Sequence, residues 1–131
     1  VYIMVSLFIG LFASIAMIAF AMISGGDMGA FIDLPAFLIV AGLAFFYSLA
    51  SGGDFLERIE NFGFGAVRAG WIGLLIGLVL IFKAHSNDPN LENMLPAFAV
   101  AFLTPFYGYV FQFITNMIVN HYDNQIETNE E

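Results

Sequence analysis

The sequence contains no cysteine and very little positive charge, and each absence bears on the class of protein. Without cysteine there is no disulfide framework and no thiolate ligand for a metal. Lys and Arg together number 3 against 11 Asp and Glu, which gives a formal net charge of −8. Nucleic-acid-binding proteins present clustered Lys and Arg, so this balance argues against a nucleic-acid partner.

Charged residues of both signs are scarce, and long apolar runs take their place. Only 11% of the 131 residues are charged and 60% are hydrophobic, whereas a soluble domain carries about 25% charged residues. The mean hydropathy is +0.87. The chain also has 16 Phe and 13 Gly, a composition typical of helices that pack inside lipid. The sequence therefore predicts a protein embedded in the lipid bilayer.

Four segments are long enough to cross a hydrocarbon core of about 30 Å, which requires roughly 20 residues of helix. The first segment lacks a basic leader and exceeds a signal-peptide core, so we expect a retained span, with Val1 a processed or trimmed start. We predict an all-α, polytopic membrane protein forming a single membrane domain over residues 1–131. Pro96 is expected at the outer start of the fourth helix. The predicted spans are about 2–23, 35–51, 64–83 and 95–120, followed by an acidic tail over 121–131.

The few basic residues give a prediction of orientation. Arg58 and Arg68 flank the connection between the second and third spans, and Lys83 ends the third span. The positive-inside rule then places that connection and both termini in the cytoplasm. Lys83, at the other end of the third span, favours the opposite orientation. Within the connection, the apolar spacing of Phe55–Phe64 predicts a short interfacial helix rather than a dedicated partner-binding element.

The fourth predicted span carries a polar line. Thr104, Gly108, Gln112 and Thr115 are spaced by four, four and three residues, which places them on one helix face. Polar side chains at membrane depth face protein or water rather than lipid. The pattern therefore predicts a helix that lines either an ion path or a neighbouring helix. Pro105 lies beside this line and should loosen the helix, because it cannot donate to the carbonyl four residues earlier.

The third predicted span carries small residues at helical spacing, including Gly73 and Gly77 in a GxxxG pattern. In lipid, such residues let two helix backbones approach closely. Because a short loop joins the third and fourth spans, we expect them to be antiparallel neighbours. The small-residue faces indicate helix packing, and a narrow bore filled by a partner helix is the alternative.

Titratable chemistry is missing from the apolar cores of the predicted spans, which contain no Asp, Glu or His. A proton carrier needs a titratable group at membrane depth, so a self-sufficient proton antiporter is disfavoured. His85 and His121 have no ligand spacing around them. No nucleophile–base arrangement and no phosphate-binding loop occurs. We therefore expect no enzyme, no cofactor and no metal site.

Two blocks of the sequence resemble the MotA/TolQ/ExbB family of ion-driven motor subunits, and MotA/PomA-like stator subunits in particular. The first is GGDMGAFIDLPAFLIVAGLA over 25–44, which is similar to the family's GG…F-x-D…IVxGG segment. The second runs over 70–108 as GWIGLLIGLVL, NDPN and LPAFAVAFLTPFYG. It is similar to the family's GMIGTLIGLV…DDP…GPxxAVALLTTLYG, and Pro96 matches the family's proline.

The resemblance implies a homopentamer in the bacterial inner membrane, around two helices of a single-span partner whose intramembrane Asp takes up H⁺ or Na⁺. It also implies cytoplasmic termini. By this resemblance Thr104, Tyr107, Gly108 and Gln112 line or gate an ion route, and Gly73 and Gly77 admit the partner helix.

Three departures from the family pattern bear on conduction. Leu74 and Pro105 stand where the family has threonines on the ion route, and neither supplies a hydroxyl. The large cytoplasmic insert between the second and third spans is reduced to a short loop. The alternatives are therefore a non-conducting membrane scaffold or anchor for a partner helix or lipid, and a fragment whose partner domains are encoded separately.

Overall fold

Four α-helices and one 3-10 helix account for most of the computed structural model, which describes residues 2–131. All four α-helices are long and apolar enough to cross a membrane, which agrees with the predicted all-helical, multi-pass class. The elements in chain order are α1 (Tyr2–Ser24), the 3-10 helix (Met28–Phe31), α2 (Leu34–Ser51), α3 (Phe55–Ala84) and α4 (Leu91–Glu130).

Local sequence signals set the boundaries of α2 and the start of α3. The Asp33 side chain accepts a hydrogen bond from the Ala36 N–H at 2.9 Å and so caps α2. Pro35 then lies in the first turn, where its missing N–H has no partner to lose. After α2, Gly52 and Gly53 adopt φ values of 71° and 92°, a conformation that costs glycine little. They turn the chain directly into α3.

Helix α3 is continuous from Phe55 to Ala84, so the prediction of a separate interfacial helix over Phe55–Phe64 is wrong. Asp54 and Glu57 form a reciprocal capping box that starts α3 at Phe55. Gly63 does not interrupt the helix, because it lies buried against α4. The third helix therefore extends well beyond the predicted span 64–83.

Helix α4 also extends beyond the predicted span at both ends. The Asn90 side chain accepts a hydrogen bond from the Glu92 N–H at 3.0 Å, so the helix begins at Leu91 and Pro96 lies inside it rather than at its start. A side-chain cap at Asn90 satisfies an N–H group at the helix start, and it takes precedence over the proline signal. At the other end, the acidic tail continues the helix to Glu130.

The closest packing in the chain joins α3 and α4 as an antiparallel pair. Gly63 faces Thr115, and further along the pair Gly77 faces Ala101. Helix α2 packs on another side of α3, where a Cβ on Gly65 would lie 2.7 Å from the Tyr47 Cβ. Two small apolar clusters form where these helices meet, one around Val40, Ala44 and Ala66 and one around Leu74, Ile81 and Ala101.

Helix α1 is the least packed element. Only 6% of its most apolar window is buried, against 33% for α3. Large apolar side chains therefore remain exposed along much of its length, including Phe12 at 70% and Phe20 at 68%. Such an apolar surface is stable when lipid or other membrane helices cover it.

Candidate functional site

Five of the predicted pore-lining residues lie at the contact between α3 and α4, here called the seam: Gly73, Gly77, Thr104, Pro105 and Gly108. The seam is formed by Gly63, Gly70, Gly73 and Gly77 of α3 and by Ala101, Thr104, Pro105, Gly108 and Thr115 of α4. A Cβ on Gly70 would lie 2.6 Å from the Pro105 Cα, and one on Gly73 would lie 2.9 Å from the Thr104 methyl carbon. At Gly70 the two backbones come so close that only glycine fits, and at Gly73 the Thr104 side chain fills the space of a Cβ.

The threonine hydroxyls on the seam are bonded within their own helix. Thr104 is 5% exposed and its Oγ1 donates to the Ala101 carbonyl at 2.8 Å. Thr115 is 8% exposed and its Oγ1 donates to the Gln112 carbonyl at 3.1 Å. Serine and threonine use this bond to satisfy a hydroxyl inside a helix. The polar line predicted from the sequence is thus placed against α3, and Gln112 lies half-buried beside Gly63.

Leu74 occupies an apolar site. It is 5% exposed and belongs to the cluster with Ile81 and Ala101. Partly buried apolar side chains, including Leu78 and Phe98, pack against the same cluster. An aliphatic side chain at this position is therefore explained by packing within the chain.

Tyr107 points away from the seam and holds the connection between α1 and α2. Its hydroxyl donates to the Phe31 carbonyl and accepts a hydrogen bond from the Asp33 N–H at 2.9 Å. Its ring packs edge-on against Phe37, with centroids 6.1 Å apart. The structure therefore gives Tyr107 a positioning role at the start of α2. Pro96, also named from the sequence, is exposed.

A pair of aromatic residues that the sequence reasoning missed joins α3 and α4 on their exposed side. The Trp71 indole N–H donates to the Tyr109 hydroxyl at 3.3 Å, and the rings meet edge to face with centroids 6.4 Å apart. Trp71 is 47% exposed and Tyr109 is 50% exposed. Two polar groups thus satisfy each other within the apolar length of both helices.

Further large apolar side chains continue this pair along both helices, and together they are here called the aromatic face. Leu75 follows Trp71 by one helical turn, and Phe113 follows Tyr109 in the same way. Leu75, Phe102 and Phe113 are 61%, 56% and 52% exposed. The signal in the sequence was the recurrence of bulky residues at 102, 109 and 113. The aromatic face consists of Trp71, Leu75, Phe102, Tyr109 and Phe113.

An apolar groove of about 490 Å³ lies between α1 and α4 and borders the aromatic face. Tyr109 and Phe113 belong to both, and Met17 and Ile18 line the groove from α1. The uncovered surface is therefore wide enough to extend from α3 across α4 to α1.

Among residues 2–131, no three His, Cys, Asp or Glu side chains come together as a metal site. The His85 Nδ1 lies 2.9 Å from the Ile81 carbonyl, and the His121 Nε2 lies 2.9 Å from the Gln125 Nε2. Each imidazole therefore interacts with a residue four positions away in the sequence.

Comparisons with known proteins identify no relative of this chain. No protein-family model matches the sequence, and neither a curated protein nor a solved structure matches it. The resemblance to the MotA/TolQ/ExbB family rests on the two sequence blocks over 25–44 and 70–108.

Proposed function

We propose that this chain is a MotA-like membrane subunit that assembles, as a pentamer, around the membrane-spanning helices of a single-span partner protein. In this proposal the partner carries the intramembrane carboxylate, and the assembly conducts H⁺ or Na⁺ to power work elsewhere. Both termini lie in the cytoplasm of a bacterium and the chain resides in its inner membrane.

The uncovered aromatic face is the observation that carries the proposal. Trp71 and Tyr109 stand at membrane depth on the two helices that the resemblance places around the bore. Aromatic side chains dominate the energy of helix and protein contacts because they bury large areas at little entropic cost. The glycine-packed seam holds α3 and α4 as one unit behind this face. We therefore assign the aromatic face, and not the seam, to contact with the partner or a second subunit.

The distribution of carboxylates supports a partner with its own acidic residue. Asp33 and Asp54 cap helix starts, and Asp88 and Glu92 lie at the connection between α3 and α4. None lies in the middle of a span, so the titratable group of an ion route has to come from elsewhere. A membrane potential supplies roughly 2.3 kcal/mol per charge per 100 mV to such a group.

A non-conducting scaffold is the second candidate, and the seam favours it. The Thr104 hydroxyl is committed to the Ala101 carbonyl, and Leu74 is buried among aliphatic side chains. An ion crossing the bilayer needs oxygen ligands that replace its hydration shell, and these positions present none. The same ring would then hold a partner helix without ion transfer.

The test combines mass measurement with ion flux. The tagged chain is purified in lipid nanodiscs from its own bacterial membrane, and native mass spectrometry counts the 14.4 kDa subunits and identifies a bound single-span chain. We expect five copies with a partner whose span contains Asp. A monomer without a partner helix contradicts both candidates.

Flux then separates the two candidates. The complex is reconstituted in liposomes with an internal pH dye or Na⁺ dye under an imposed potential. Conduction predicts flux that is lost when the partner's Asp is changed to Asn and reduced by Gln112→Leu. Gln125→Leu, near the exposed end of α4, is the matched control. A stable complex with no flux excludes the channel and supports the scaffold.

A further inference from the structure

The beginning of α3 and the end of α4 form a surface that is separate from the aromatic face. With a rise of 1.5 Å per residue, the 40 residues of α4 span about 60 Å and the 30 residues of α3 about 45 Å. A bilayer core takes only about 30 Å. Because the two helices are antiparallel, the beginning of α3 and the end of α4 lie at the same end of the pair. Charged residues at 54, 57, 58 and 60 and the acidic tail over 121–131 favour placing this end outside the hydrocarbon core.

An apolar groove of about 610 Å³ lies between these two ends. Its exposed members are large: Phe55 is 78% exposed, Ile126 is 52% exposed and Tyr122 is 36% exposed. Ile118, Tyr122 and Ile126 recur every four residues and so form one stripe of α4. We call this the end groove, lined by Phe55, Leu56 and Ile59 of α3 and by Ile118, Tyr122 and Ile126 of α4.

The end groove continues towards the membrane. Phe55 and Ile59 also line an adjoining cavity of about 340 Å³, which reaches Phe62 and the buried Thr115. The two cavities together form a mostly apolar surface from the end of α4 to Thr115, with Ser48 and Arg58 as its polar members. Exposed apolar surface of this extent outside the hydrocarbon core marks an interaction site.

Negative charge surrounds the end groove. Asp54 lies at its rim, and Glu127 and Glu130 lie next to Ile126 and one turn beyond it. Residues 121–131 contain neither Lys nor Arg. The nearest cation, Arg58, donates its Nε–H to the Gly53 carbonyl at 3.1 Å.

We infer that the end groove docks a basic amphipathic helix of a partner protein. Such a helix lays apolar residues at positions i, i+3 or i+4 and i+7 into an apolar groove, and its Lys and Arg face the surrounding carboxylates. An anionic membrane surface is repelled by the same carboxylates. A second copy of this chain brings a second set of carboxylates to the contact, which is unfavourable for the same reason.

The test measures where a peptide probe binds. Because the chain has no cysteine, a single donor dye can be attached at Asn124→Cys, near the end groove, or at Asn87→Cys, at the opposite end of α4. The full chain is placed in phosphatidylcholine nanodiscs. The probe is an acceptor-labelled helical peptide of about 18 residues, with Leu at groove-facing positions and Lys elsewhere. Its control carries Glu in place of Lys.

We expect saturable energy transfer from the Asn124→Cys donor with the Lys peptide, weaker transfer from the Asn87→Cys donor, and weakening as salt is raised. Ile126→Ser should reduce affinity about tenfold or more, as loss of an interface anchor does. Ile32→Ser is the matched control, because Ile32 is 67% exposed at the other end of the bundle. Glu127→Gln with Glu130→Gln should also weaken binding, and Asp88→Asn with Glu92→Gln should not.

Several results would overturn the inference. Equal transfer to both donors means that the peptide lies on lipid and not in the end groove. Equal binding of the Glu peptide removes the charge argument, and full affinity in Ile126→Ser removes the apolar one. No peptide binding, together with transfer between Asn124→Cys donors and acceptors on separate copies of this chain, assigns the end groove to self-association instead.

Discussion

The Cα of Pro105 lies where the side chain of Gly70 would begin, since a Cβ on Gly70 would stand 2.6 Å from it. The contact is between backbones, so no side-chain rearrangement relieves it. Two residues that interrupt helices in water thus fit together in lipid: the glycine makes room for the proline-bearing turn of α4. This relationship fixes the distance between α3 and α4.

Gly70→Ala should therefore destabilise the chain. Overpacking a close contact costs about 1–3 kcal/mol, which exceeds the helix-propensity gain of about 1 kcal/mol for replacing glycine by alanine. The free energy of unfolding is measured in mixed SDS micelles by circular dichroism. Gly42→Ala is the matched control, because nothing lies within 4 Å of a Cβ at that position, and it should unfold no earlier than the original chain. Equal midpoints for the two variants would contradict the tight seam.

Removing the cap of α3 should loosen its first turn. Asp54 accepts from the Glu57 N–H at 2.9 Å, and Glu57 accepts in return from the Asp54 N–H at 3.1 Å. Asp54→Ala removes the bond to the Glu57 N–H but keeps the backbone N–H of residue 54, and it should cost about 1 kcal/mol. Hydrogen exchange at the Glu57 amide should accelerate. Asp27→Ala is the control, because the Asp27 side chain makes no cap bond to its 3-10 helix, and it should leave that exchange unchanged. Unchanged exchange in Asp54→Ala would argue against the capping box.

Tyr107→Phe should release the connection between α1 and α2. The variant keeps the ring contact with Phe37 and loses the bonds to the Phe31 carbonyl and the Asp33 N–H. Each lost hydrogen bond costs about 0.5–1.5 kcal/mol. The expected readout is faster hydrogen exchange of the Asp33 amide, with the α3–α4 seam unaffected. Tyr47→Phe, which keeps the ring that lies 5.4 Å from the Arg68 guanidinium, should leave Asp33 exchange as it was. If Tyr107→Phe does the same, the hydroxyl does not hold the connection.

Much of this fold could be predicted from the sequence because apolar length and cap residues are local signals. The four helices and the antiparallel α3–α4 pair follow from those signals. The continuation of α3 through Gly63 and Gly65 could not be predicted, because glycines near a charged stretch indicate a loop. In the structure the Thr115 and Tyr47 side chains pack directly against these glycines. This tertiary packing outweighs the low helix propensity of glycine.

The candidate site was harder to predict for a related physical reason. Small residues on a membrane helix serve a close helix pair and a narrow bore equally well. The polar line through Thr104 and Thr115 fits both, and only the position of the neighbouring helix decides between them. The aromatic face escaped notice because Trp71 and Tyr109 lie on different helices, and no spacing within one segment brings them together.

Trp71 provides a direct optical test of the aromatic face, because it is the single tryptophan of the chain. In nanodiscs containing brominated lipids, the isolated chain should show strong quenching of Trp71 fluorescence, since its ring is 47% exposed. In the assembled complex the partner helix or a second subunit should shield it. Recovery of fluorescence on assembly supports the proposed contact. Equal quenching in both states would place the aromatic face in lipid and would require another contact surface for the partner.

The orientation of the chain can be read from cysteine accessibility. Helix α4 separates Asn87 from Asn124. The predicted topology therefore places these two positions on opposite sides of the bilayer, with Ser51 at the end of α2 on the side of Asn124. With Arg58 and Arg68 inside, an impermeant maleimide should label Asn87→Cys in intact spheroplasts. It should label Ser51→Cys and Asn124→Cys only after lysis. The reverse pattern would invert the topology. Labelling of Asn87→Cys and Asn124→Cys from the same side would show that α4 does not cross the membrane.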